Sequence, residues 1–397
     1  DKKSARVAVN TVNYTRADNS VYIGEAILAM IHKGGYESAR CMTGSGMDDH
    51  SLGLVYNDNI LVLINHVKRD ILGSYLAHFR LGKLYCHSIP LRHFCIFMEE
   101  TAMIYHTIVA RMPIEKGWSG DKKYCAVTVD GTKYLLRLSP VERLERRKAE
   151  FERMQQVAAL GIPMCLPLEF GTCGEEVYAV QSWIEGLDAE SVIPTLSEEQ
   201  QYTYGLDAGC ILAKIHSIPA PADTLAWEPR FNAKIDRKIA MYQSCPLKYE
   251  GDEALLAYLA DNRHLLANRP QSYQHGDYHI GNMMLTQDRV LTIIDFDKDD
   301  FGDPWEEFNR IVWCAQAAPA FASGMVDGYF GGEVPMEFWS LLALYISSNT
   351  LGSLPWAIPF GEKEIVVMRT QAAQVLQWYD NMKTVVPKWY HKPGKEE

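Results

Sequence analysis

The sequence predicts an α+β chain of two lobes, a small mixed lobe followed by a larger and mainly helical one, behind an unassigned N-terminal segment. Three observations carry that reading. Two strand-like runs joined by Asp130-Gly131 open the legible part of the chain. One amphipathic helix and two further strand-like runs follow them, and beyond Leu196 almost every periodic stretch is helical.

In chain order, residues 124–129 and 133–138 are apolar, β-branched or aromatic, and the Asp-Gly between them is a strong hairpin signal. Residues 140–160 place Leu144, Phe151, Met154, Val157 and Ala158 on one helical face, and Gly161-Ile162-Pro163 ends the pattern. Residues 166–170 and 176–183 read as strands about a glycine turn. Ser197 with acids directly after it is an N-terminal cap opening a helix to about residue 216. Further helices fit 232–243, 252–267, 338–351 and 362–383. Residues 1–102 match no known pattern: 59–65 reads as a strand, 24–32 and 68–79 as helices, and 43–49 as a loop too poor in glycine to cradle phosphate. The domain reading is therefore 1–102 unassigned, or a small α/β module, 103–184 the small lobe and 185–397 the helical lobe. Met103 is read as the start of a self-sufficient unit.

Composition narrows the class. Of 397 residues, 47% are apolar and 22% charged, ordinary proportions for a globular protein. A net charge of −11 argues against a nucleic-acid binder and suits a cationic small molecule. Nine scattered cysteines, none in a CxxC pair, read as reduced thiols of a cytoplasmic protein. No apolar run is long enough for a membrane span, and no signal peptide is read. The oligomeric state is left open.

The chemistry concentrates in HGDYHIGN (275–282) and IIDFD (293–297). Phosphoryl transfer needs an oriented hydroxyl, a held triphosphate and neutralisation of developing charge. Asp277 suits the first need as catalytic base. Asn282, five positions on, and Asp295, thirteen further at the end of an apolar strand, suit metal coordination between phosphates. Each residue alone is an ordinary turn or cap; their conjunction points to the reaction.

These two motifs closely resemble the aminoglycoside phosphotransferase and choline kinase-like family of small-molecule kinases. The likeness runs from about Met103 onward, roughly three-quarters of the chain. It implies the bilobal protein-kinase-like fold, Mg2+ as metal, and ATP or GTP as phosphate donor. Asp277 would be the base, Asn282 and Asp295 the metal ligands, with His275 and Asp303 bracing the loop. On the nucleotide side, 116–124 would be the phosphate-covering hairpin, with Ser119 and Gly120 at the phosphates. Arg137 stands where the family has its strand lysine, with Glu150 as its helix partner and Glu152 behind it. Gln181, Trp183 and Ile184 would form the interlobe hinge against the base.

The expected function is an ATP- or GTP-dependent phosphotransferase acting on a hydroxyl of a small molecule, with an aminoglycoside-like antibiotic, and so antibiotic resistance, among the candidates. The alternatives are a metabolite kinase (choline, methylthioribose, homoserine or fructosamine type) and a nucleotide-binding pseudokinase scaffold. A protein kinase is rejected, because only seven residues separate Asp295 from Gly302-Asp303-Pro304, too few for an activation loop. Glu306, Glu307 and Asp327, and less so Asp299 and Asp300, are candidates to hold ammonium groups. Tyr345 and 351–356 are either acceptor lining or core.

Overall fold

A computed structural model of the chain describes residues 103–115 and 120–394, and upstream only the backbone course of four strands. The chain divides into two compact units, Asp1–His106 and Thr107–Glu397. In the first, β1 (Ser38–Met42), β2 (Ser51–Tyr56), β3 (Ile60–Asn65) and β4 (Ile89–Pro90) form an antiparallel sheet in the order β3-β2-β1-β4. The strand read at 59–65 is thus β3. The helices read at 24–32 and 68–79, the loop at 43–49 and Ser119 lie outside the described residues.

The second unit begins with a five-stranded antiparallel sheet in the order β5-β6-β7-β9-β8. Its strands are β5 (Ile108–Pro113), β6 (Lys122–Thr128), β7 (Lys133–Pro140), β8 (Pro167–Cys173) and β9 (Glu176–Ser182). The β6–β7 hairpin turns where Asp130-Gly131 predicts it. Gly131 takes φ +86°, and the Asp130 carboxylate accepts the Thr132 backbone N–H at 3.1 Å. Helix α1 (Leu144–Ala158) buries Phe151, Met154 and Val157, three of the positions its spacing marks as apolar, and Phe151 packs against Phe170 of β8.

Past β10 (Gly186–Asp188) the chain becomes helical. Helix α2 (Glu198–Ile215) starts with a complete capping box, in which Ser197 and Gln200 satisfy each other's backbone N–H groups. Then come α3 (Trp227–Ser244) and α4 (Asp252–Asn262). Short strands carry the chemistry-bearing loops: β11 (Ser272–Gln274) pairs with β14 (Asp300–Gly302), while β12 (Met283–Thr286) lies between β10 and β13 (Leu291–Ile293). The chain closes with α5 (Ile311–Ala317), α6 (Pro319–Phe330), α7 (Met336–Ala357) and α8 (Glu362–Trp378). No helix among the described residues is long and apolar enough to cross a membrane.

Helix α3 starts earlier than its periodicity indicates, because Trp227 is drawn into the core by packing, and α7 starts two residues earlier, at exposed Met336 and Glu337. Helices α5 and α6 have no counterpart in the sequence reading. Helix α6 is buried on every side from Ala320 to Gly328, so it carries no polar stripe to give a period. It also crosses α2 unusually closely. A Cβ on Gly205 or Gly209 of α2 would stand 2.2 Å from the carbonyl oxygen of Phe321 or Met325, and one on Gly324 or Gly328 of α6 would meet Tyr202 or Leu206 equally closely. Four glycines that look like helix breakers are therefore the condition for this contact.

Gly209→Ala is expected to force α2 and α6 apart and lower stability by about 1–3 kcal/mol, the usual cost of overpacking a core. Urea denaturation checks this, and a midpoint equal to that of the unaltered chain would show that the crossing relaxes freely.

Candidate active site

The candidate site is built on the loop from His275 to Asn282, which leaves β11 and enters β12. Gly276 takes φ +82°, and a Cβ there would lie 1.8 Å from the Lys298 carbonyl oxygen, so the second position of His-Gly-Asp admits only glycine. The turn exposes two backbone donors to the interior. Buried Glu307 receives both, from Gly276 N–H at 3.1 Å and Tyr278 N–H at 3.2 Å. His275, fully buried, bridges the loop to the end of β13. Its Nε2 lies 3.0 Å from the Ile294 carbonyl, and its Nδ1 accepts the Asp277 N–H at 3.3 Å. The neutral tautomer with its proton on Nε2 satisfies both contacts.

This bracing brings Asp277, Asn282 and Asp295 together. The Asn282 side chain donates to the Asp277 carbonyl at 2.9 Å, and the Asn282 carbonyl accepts the Ile294 N–H at 3.0 Å, one residue before Asp295. Asp295 itself takes φ +68°, a left-handed conformation that aspartate tolerates better than most residues. Among the described residues no three His, Cys, Asp or Glu side chains converge as a metal cage. The site instead offers the Asp295 carboxylate and an Asn282 amide whose nitrogen is already committed, which leaves its oxygen available. Two hard oxygen donors fit an ion such as magnesium, which keeps waters and phosphate oxygens for its remaining positions.

Asp277 is enclosed by cations. Lys298 Nζ is 2.8 Å from one carboxylate oxygen and Arg310 Nε 3.2 Å from the other, with His279 Nε2 at 3.7 Å. Burial raises the Asp277 carboxyl, but Arg310, His279 and Lys298 outweigh it and hold it at about 2. Burial also pushes His279 down to about 4, so at neutral pH that imidazole is uncharged and Arg310 and Lys298 carry the effect.

Asp303, fully buried, lies one step behind the loop. It receives Arg269 Nε at 2.7 Å, the Tyr345 hydroxyl at 2.6 Å and the Trp305 N–H at 3.0 Å. Tyr345 is therefore a core residue, and Leu351 and Leu354 are fully buried with it.

On the nucleotide side, the structure departs from the sequence expectation in three places. First, Arg137 does not meet Glu150. Its guanidinium pairs with Asp297, lies 3.5 Å from Asp295 and 3.6 Å from Asp121, and is almost fully buried. Glu150 is taken by its own helix neighbours, Arg146 at 2.8 Å and Arg147 at 2.5 Å, because i,i+4 and i,i+3 partners are nearer than the sheet. Glu152 pairs outward with Lys148 at 3.9 Å. Second, Gln181 is no hinge residue. It belongs to β9, between β7 and β8, with its backbone paired to Leu135 and Pro167 and its side chain buried. The chain leaves the sheet only at Trp183 and Ile184. Third, Lys123 joins the site. It stands opposite Arg137 in the β6–β7 register and so shares its sheet face, and its Nζ lies 3.2 Å from Asp295 and 3.8 Å from Asp297. Antiparallel pairing across the Asp130-Gly131 turn was the signal that could have found it.

Burial, with Arg137 close by, lowers the Lys123 ammonium below its usual value. Asp295 is lowered despite burial, because Lys123 and Arg137 both favour its charge. Gly120 is exposed, close to Arg143. A small cleft between α1 and the sheet is lined by Arg137, Glu150, Phe151, Gln181, Phe296 and Asp297 among others.

Four of the acids offered for an ammonium group are committed inward: Glu306 to Lys234, Glu307 to the loop, Asp299 to Arg153, and Asp327 to the Tyr202 and Tyr390 hydroxyls, both at 2.5 Å. Asp300 is exposed, 3.6 Å from Arg230.

Amicoumacin kinase hAmiN in complex with AMP-PNP, Ca2+ and Ami superposes with a TM-score of 0.52 at 11% identity, over 74% of this chain and 95% of that one. A thermostable mutant of aminoglycoside phosphotransferase APH(4)-Ia with ADP and hygromycin B gives 0.49 at 14% identity (71% and 97%). A choline/ethanolamine kinase family protein from Mesorhizobium loti gives 0.49 at 15% identity (69% and 90%). At 11% identity the likeness to the amicoumacin kinase is one of fold alone, the bilobal kinase-like fold. No curated protein sequence matches the chain. The family model described as "Phosphotransferase enzyme family" matches residues 111–339, more than half of the chain and including all of HGDYHIGN and IIDFD, and this protein therefore belongs to that family of small-molecule phosphotransferases.

Proposed function

We propose that this chain transfers the γ-phosphoryl group of ATP or GTP to a hydroxyl of a small molecule, with residues 103–184 holding the nucleotide and 185–397 the acceptor. The observation that carries this reading is the convergence of Asp277, Asn282 and Asp295 on one braced loop.

Asp277 would accept the hydrogen bond of the acceptor hydroxyl and aim its oxygen at phosphorus. A carboxylate held at about 2 is a weak base, so its contribution is orientation more than early proton removal, which suits a loose transition state. Asn282 and Asp295 would hold Mg2+, which when bound neutralises charge on the phosphates. Lys123 and Arg137, now paired with Asp295 and Asp297, are the cations placed to hold phosphate oxygens. Arg137 offers a planar fork and Lys123 a compact charge, so the two are not interchangeable. Lys298 and Arg310 keep Asp277 ionised. Backbone groups near Trp183 and Ile184 would meet the nucleotide base.

Asp277→Asn is expected to reduce kcat about a hundredfold to ten-thousandfold with the nucleotide KM nearly unchanged. Undiminished turnover in a coupled assay over an acceptor panel would remove Asp277 from the mechanism. Lys123→Met and Arg137→Met should each raise the nucleotide KM about tenfold or more, the worth of one charge-assisted hydrogen bond. A silent Lys123→Met would leave the phosphates to arginine alone.

The low Asp277 value also predicts a pH dependence. A carboxyl lowered on folding contributes stability above its unfolded value, about 3.9, which is lost as pH falls through about 2. The unaltered chain should therefore exceed Asp277→Asn by about 2 kcal/mol at neutral pH, less any screening, and the gap should close below about pH 4. Urea midpoints measured across that range check it; a gap independent of pH is the contrary result.

A further inference from the structure

We infer that the acceptor carries an anionic group, a carboxylate or a phosphate, recognised by Lys238 together with Lys234 and Arg310 on the wall beside Asp277. This rests on the phosphotransfer reading above and adds the charge class of the acceptor. It runs against the cationic substrate that the net charge of −11 suits.

Arg310 touches Asp277, and Arg310, Lys234 and Lys238 all act electrostatically on Glu306, which Lys234 contacts at 2.9 Å. Lys234 and Lys238 lie one turn apart on α3 and so share a face. Around these two carboxylates, Asp277 and Glu306, stand four cations: Lys234, Lys238, Lys298 and Arg310. Arg237 adds to the positive field at Lys238. Of the remaining acids of the region, Asp299, Asp303 and Glu307 are committed to Arg153, Arg269 and the loop backbone, Asp300 is exposed near Arg230, and exposed Glu190 lies across the catalytic loop against Gly281.

Lys238 is the residue without an explanation inside the fold. It is partly buried, yet among the described residues its only hydrogen-bond partner is the Asn349 side-chain oxygen at 3.4 Å, and no carboxylate pairs with it. Its aliphatic stem crosses α7 over Gly352, where a Cβ would stand 3.1 Å from its Cδ and Cε, so the helix leaves room for this one side chain. Burial, reinforced by Lys234, lowers its ammonium to about 7. Its nearest carboxylate, Glu306, is already paired with Lys234; a buried cation so poorly compensated costs stability, and an anion arriving on the ligand restores the balance. An amino-sugar or amino-alcohol placed there would meet like charge.

The test uses the full chain with AMP-PNP bound and four small probes that differ in charge: glycerol 3-phosphate, glycerate, glycerol and ethanolamine. Calorimetry is expected to show binding of the two anions ahead of glycerol, and none of ethanolamine. Lys238→Met should weaken the anions about tenfold or more, leave AMP-PNP affinity unchanged and raise the Tm of the free protein, because it removes a poorly compensated cation. Lys238→Arg should retain anion binding. Preference for ethanolamine, equal affinity for glycerol, or no anion binding at about 10 mM overturns the proposal, as does a lowered Tm with anion affinity intact. Asp277-dependent phosphorylation of amino-alcohols would overturn it while leaving phosphotransfer standing; tight anion binding without any phosphoryl transfer would do the reverse.

Discussion

The two hydrogen bonds that buried Glu307 accepts from Gly276 and Tyr278 are the constraint on which the site depends. Gly276 turns the chain through a conformation that leaves interior N–H groups without sheet or helix partners, and buried donors of that kind must be satisfied. With Glu307 in place, the loop presents Asp277 outward and His275 inward, and His275 ties it to the strand that delivers Asp295. Asp303, four residues before Glu307, does the same for the second layer by joining Arg269, Tyr345 and Trp305. Asp277, Asn282 and Asp295 stand on a frame of buried acids that are spent on the protein itself.

Charge is arranged in two clusters of opposite function. On the sheet side, Lys123 and Arg137 lie against Asp295 and Asp297, so each set holds the other in position. On the helical side, the cations around Asp277 and Glu306 outnumber the acids. The first cluster is nearly balanced and the second is not, and the imbalance bears on what the acceptor brings. The global charge of −11 says nothing of this, because the acids near the site are already paired.

What was legible followed from local rules. Asp130-Gly131 announced its hairpin, Ser197 its cap, and the apolar face of α1 its packing, since each depends on neighbours a few residues away. Helices α5 and α6 were not legible. A helix buried all round has no period, and the glycines of α2 and α6 carry meaning only against each other. Lys123 was hidden for the same reason: its role comes from standing opposite Arg137 across a strand pair. Gln181 and Glu150 went the other way, reassigned by partners that the order along the chain does not reveal.

The sequence by itself determined the reaction class, through a loop motif whose spacing is local, and the succession of a mixed lobe and a helical lobe. Only the tertiary structure decided which charges face one another: Arg137 with Asp297 rather than Glu150, Glu307 with the loop rather than a ligand, and Lys238 left to share Glu306 with Lys234. Spacing is a property of the chain, but compensation of buried charge is settled between elements far apart in sequence. The acceptor's charge could be argued only after that pairing was known.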